Sequence, residues 1–158
     1  MSLIQLSTFI AAPPDRLFDL ARSIDLHQES ADQTNERAIA GVTKGLIGMG
    51  ETVTWEARHF WIRQELTVRI TAFERPLRFQ DVMVSGAFKR MKHDHEFIAQ
   101  PSGTLMVDRF EFQSPLGIIG RVVDRAFLGA YMRRFLLRRN DVLKKIAESE
   151  RWRRYVPA

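Results

Sequence analysis

The chain has no cysteine among its 158 residues. Disulfides, thiolate metal sites and cysteine nucleophiles are therefore excluded at once. Long apolar runs are also missing, so no segment can cross a bilayer as a helix. The N-terminus, MSLIQLSTFIAAPPDR, lacks the basic start and longer apolar block of a secretory signal, and the expected location is cytoplasmic. GLIGMG and GVTKG lack the Gly-Lys-Ser/Thr ending of a phosphate loop, and GLIGMG leads into a strand rather than a helix. There is no serine nucleophile elbow, internal repeat or low-complexity tract. Helix-turn-helix, zinc-module and RNA-binding aromatic motifs are absent too, which argues against nucleic acid as a partner.

What is present is ordinary soluble composition, 45% hydrophobic and 27% charged, at a length that suits one domain with one sizeable core. The net charge of +5 is unevenly placed. Residues 1–114 hold 13 Lys/Arg against 15 Asp/Glu, whereas residues 115–158 hold 11 against 4. In MRRFLLRRN, Arg133, Arg134, Arg138 and Arg139 surround apolar residues, as on a basic amphipathic helix. Such a face suits an anionic membrane surface or a partner protein, and equally the solvated back of a core helix. Trp152 and Tyr155 extend this character into the C-terminal segment RWRRY.

Alternation of apolar residues predicts a first strand in SLIQLSTFIAA, with Ile4, Leu6, Thr8 and Ile10 on one face. Pro13 and Pro14 stop pairing and open a helix. Two short helices are expected over DRLFDLARSIDLHQESADQ, joined near Ser23. Six further strands are expected near 37–43, 51–60, 62–73, 77–84, 88–98 and 104–112, linked by turn residues as in an antiparallel meander. After Ser114-Pro115 the spacing turns helical to about Ser149, with a bend expected near Gly129. The order predicts an α+β fold in which a bent seven-stranded antiparallel sheet wraps a long C-terminal helix, leaving room for a cavity between them.

AAPPDRLFDL, GLIGMGETVTW and the ITAFERPLRF hairpin, in this order of elements, resemble the START-like, helix-grip superfamily, also called SRPBCC. That superfamily includes polyketide cyclases, lipid-transfer domains and pollen-allergen-like proteins. HDHEF, SPLG and YMRRFLLRRN resemble a bacterial branch described as cyclase/dehydrase-like or cell-division-associated. The resemblance implies one ligand-binding domain over residues 1–150 with a basic tail at 151–158. It implies a small hydrophobic or lipid-like ligand under the long helix, and it transfers no catalytic motif and no cofactor. Fold alone does not assign function.

KRMKHDHEF carries the densest candidate chemistry. Strand alternation puts Met91, His93, His95 and Phe97 on the inward face and turns Asp94 away. A turn centred on Pro101-Ser102 sets Phe97 opposite Met106, His95 opposite Asp108 and His93 opposite Phe110. A carboxylate opposite an imidazole fixes the tautomer and raises basicity, as a cyclase/dehydrase-type acid/base pair of His95 and Asp108 requires. The same pair can equally be an inward polar couple that satisfies itself. His93 and His95 lie roughly 7 Å apart along the strand, within reach of a shared ion only if Asp108 or His59 converges; no third ligand is demanded, and no metal is expected. Trp55, His59, His93, Phe97, Phe110 and Phe112 are the expected cavity-lining residues. Asp81 stays open, because one residue of slip in the Ser85-Gly86 hairpin exchanges its face.

Overall fold

The computed structural model describes residues 1–115 and 127–157. The chain opens with β1 (Ser2–Ile10), whose Ile4, Leu6 and Ile10 point into the core. Pro13 is extended and Pro14 starts α1 (Pro14–Ala21), its fixed φ already suited to the first helical turn. Ser23 then accepts a hydrogen bond from the Leu26 amide at 3.3 Å and caps α2 (Ile24–Ser30). The two helices meet where the sequence pattern puts the join. A 3-10 turn at Asp32–Thr34 ends on Asn35 in the left-handed region, φ 48°.

Six strands follow: β2 (Arg37–Gly41), β3 (Thr52–His59), β4 (Ile62–Glu74), β5 (Arg78–Ser85), β6 (Arg90–Gln100) and β7 (Gly103–Gln113). All pair antiparallel in the order β1-β7-β6-β5-β4-β3-β2, so the first strand closes against the last. β2 is shorter than expected because Gly41 bends away at φ +73°, where a side chain would strike the Thr52 carbonyl. β6 keeps its expected length but is shifted two residues toward the turn, and β7 is one residue longer at each end, which leaves only Pro101-Ser102 as a turn, with Gln100 paired to Gly103. The register is the expected one: Phe97 opposes Met106, His95 opposes Asp108 and His93 opposes Phe110.

The C-terminal helix is described as α3 (Gly129–Ala147). Met132, Leu136, Leu143 and Ile146 form its buried stripe at spacings of three, four and seven. The helical turns expected over residues 116–126, and the bend that would join them to Gly129, lie outside the described residues. Among the described residues, no helix is long and apolar enough to cross a membrane.

The segment after α3 folds back rather than trailing away. Arg151 Nη2 meets Glu29 Oε1 at 2.7 Å, and the Arg16 guanidinium lies 4.4 Å from the centre of the Trp152 ring. Trp152 and Tyr155 are thereby engaged with α1 and α2.

Candidate functional site

β6 delivers His93 and His95 to the concave face, where both side chains are nearly inaccessible. β7 delivers Asp108 opposite them. Asp108 Oδ1 lies 2.8 Å from His95 Nδ1 and accepts a hydrogen bond from His93 Nε2 at 3.1 Å. Its other oxygen accepts from Asn140 Nδ2 of α3 at 2.7 Å. One carboxylate thus ties two strands and the C-terminal helix together.

The register of β5 against β6 decides Asp81. It pairs with His93 across the strands and so shares the inward face. Asp81 Oδ1 stands 3.4 Å from His95 Nε2, an ion-pair contact without a hydrogen bond. His95 is therefore flanked by two carboxylates. Asp94 sits on the outer face, paired with Lys92 at 3.3 Å.

Burial alone would push the His95 pKa down. The contacts with Asp108 and Asp81 overcome it and raise the pKa to about 9, so the ring is an imidazolium at neutral pH. Burial likewise opposes ionisation of Asp108, yet hydrogen bonds from His93 and His95 hold it well below the usual carboxylate range. For His93, burial and the adjacent His95 charge outweigh Asp108, and its pKa falls. The two histidines, 3.9 Å apart between ring centres, differ in charge. This separation of pKa values is the arrangement acid–base chemistry uses, and also that of a self-satisfied ionic core.

Beside this cluster, between β3–β7 and α3, lies a cavity of about 410 Å³. Trp55, His59, His93 and Phe110 line it. Aliphatic and aromatic walls come also from Leu66, Val68, Met91, Phe88, Met132 and Phe135. Phe97 and Phe112, expected in the wall, lie outside it. Phe97 packs edge-on against Phe18 at 5.6 Å, under α1, and Phe112 is fully buried beside Phe88 and Phe110. Inward direction was correctly read for both, but the short helices close the sheet over Phe97. His95 and Asp108 stand behind the cavity wall, beside a void of about 20 Å³, while His93 and Asp81 reach the cavity itself.

Three of the contributors that sequence reasoning missed, one of them with its partner Glu36, shape the polar side of the site. His27 of α2 stacks on Trp55 at 4.0 Å and 19°, and its Nε2 meets Glu36 Oε1 at 2.8 Å. Tyr131 of α3 is hydrogen-bonded to His59 Nδ1 at 2.8 Å. Arg139 is the third, and it corrects the expected basic face. Arg133, Arg134 and Arg138 are exposed, but Arg139 turns inward and lines the cavity. The signal was available, since residue 139 falls in the stripe 132, 136, 139, 143, 146.

No protein-family profile matches the chain, and neither does any curated protein. Solved structures do. A protein of Thermus thermophilus aligns with TM-score 0.74 at 16% identity, covering 91% of this chain and 95% of that one. The Zhui aromatase/cyclase of a Streptomyces species aligns with TM-score 0.72 at 14% identity, covering 99% and 96%. A START superfamily protein of Mycobacterium smegmatis aligns with TM-score 0.68 at 10% identity, covering 92% and 97%. The chain has the START-like, helix-grip fold. In this START-like fold the cavity lies under the C-terminal helix, with Trp55 and Phe110 in its wall and Arg139, Asp81, Glu36, His27 and His93 forming a polar end.

Proposed function

We propose that this START-like protein holds a small hydrophobic or lipid-like molecule in the cavity beneath α3. The observation that carries the reading is the cavity itself. Its volume of about 410 Å³ falls within the range of about 300–1,000 Å³ usual for small-molecule sites, and its walls are mainly aromatic and aliphatic with a few convergent polar groups. Native mass spectrometry of protein purified from its own host tests it: a co-purifying lipid or polyketide-like mass is expected, and a consistently empty protein overturns it.

A second reading, a cyclase/dehydrase-type enzyme, draws on the His93–Asp108–His95 cluster and on the aromatase/cyclase among the structural neighbours. In it His93 meets the substrate, and the His95–Asp108 pair supplies the proton. Under this reading His95→Gln abolishes turnover while ligand affinity holds. Equal loss of both returns the protein to a binding role.

We also propose that the cavity rim meets an anionic membrane surface during ligand exchange. Trp61 is completely exposed at the β3–β4 hairpin tip, and Phe60 packs at 4.6 Å on Tyr131, which precedes the exposed Arg133 and Arg134 on α3 by two and three residues. An aromatic tip flanked by cations suits a charged interface.

A further inference from the structure

Among the described residues, two buried side-chain atoms lack a hydrogen-bond partner: Asp81 Oδ1 and Arg139 Nε. Both residues line the polar end of the cavity. They come from opposite walls, Asp81 from β5 and Arg139 from α3, and each bears on the other electrostatically without an ion pair joining them. One is an acceptor without a donor, the other a donor without an acceptor. Buried polar atoms are rarely left so, because each has lost its water and gained no hydrogen bond in return, although Asp81 Oδ1 keeps its ion-pair contact with His95.

We propose that the bound molecule carries an uncharged head that both donates and accepts a hydrogen bond, as a carboxamide does. Its N–H is given to Asp81 Oδ1 and its carbonyl oxygen accepts from the Arg139 guanidinium, while the apolar remainder lies against Trp55 and Phe110. The proposal rests on the reading of the cavity as a ligand site.

Alternative heads fit less well. A carboxylate satisfies Arg139 but faces Asp81 and the nearby Glu36. Both are ionised: burial opposes it for each, but their histidine contacts and the Arg139 charge keep the pKa values low. An ammonium satisfies Asp81 but meets the Arg139 cation in a site where a charge is poorly solvated. A ketone leaves Asp81 orphaned, and a hydrocarbon end leaves both. A neutral donor–acceptor group completes the two atoms without adding a charge.

The test is competition against 1-aminoanthracene, a neutral fluorophore, by ten-carbon chains that differ only in the head: decanamide, decanoate and decylamine. With the wild-type protein, decanamide is expected to displace the fluorophore at a concentration about tenfold below either charged chain, the worth of one hydrogen bond to a charged group. Arg139→Met, which removes the orphaned donor without opening a cavity, should erase most of that advantage. Arg139→Lys, which keeps the charge but loses the planar donors, should do so in part. Decanoate binding as tightly as decanamide, or an unchanged preference in Arg139→Met, overturns the proposal while leaving the cavity reading intact. Equal displacement by all three chains does the same. No uptake of the fluorophore or of any chain by the wild-type protein sinks both.

Discussion

His95 Nδ1 lies 2.8 Å from Asp108 Oδ1, in a position where both side chains are nearly inaccessible to solvent. A buried ion pair is costly to assemble and more costly to break, because the surviving charge is left without its partner. Asp108 also accepts from His93 and Asn140, so its charge is distributed over three donors. Asp108→Asn keeps the shape and removes the charge. It is expected to lower unfolding stability by about 3–5 kcal/mol in urea at pH 7. A loss below about 1 kcal/mol would mean the network is not ionic.

The same pair makes stability depend on pH in a particular direction. The folded-state pKa of His95, about 9, stands above the ordinary 6.5, so the contribution is fully present below pH 6.5. It declines as pH rises through about 9. Thermal unfolding followed between pH 6 and 10 should show this alkaline decline, and His95→Gln should flatten it. An identical slope in the variant would assign the decline elsewhere.

Ala57 is inward on β3 and, like Ala87, lines the cavity with only a methyl group. Ala57→Phe fills space that a ligand would occupy. Fluorophore uptake is expected to fall at least about tenfold with circular dichroism unchanged, since added volume enters a void rather than a packed core. Undiminished uptake would place the ligand elsewhere.

The β3–β4 hairpin turns on Phe60 and Trp61, both at positive φ, 51° and 68°. Two-residue hairpins of this kind favour Asn-Gly, and a bulky residue in the left-handed region is disfavoured by about 1 kcal/mol. Trp61→Gly should therefore stabilise the protein by about that amount. It should also weaken binding to phosphatidylserine vesicles in sedimentation. Vesicle binding that survives this change, or that is absent in the wild type, would remove the membrane reading of the rim.

The sequence by itself determined the element order, the START-like fold and the direction of most strand residues, because alternation and turn chemistry are local. It set His95 against Asp108, since Pro101-Ser102 leaves one sensible register for a tight turn. It was silent on Asp81, whose face depends on a four-residue connection, Gly86 to Lys89, that permits either register. Only the tertiary structure turned Asp81 inward, through its pairing with His93. Phe97 and Phe112 read as cavity wall because inward on a curved sheet does not distinguish the part covered by helices from the part left open. Arg139 was misread for a different reason: charge suggested the surface, while its place in the helical stripe meant the interior. A guanidinium can occupy that place when the opposite wall supplies carboxylates across an open space. Which walls come to face each other across that space is decided by packing between β5 and α3, elements more than forty residues apart along the chain.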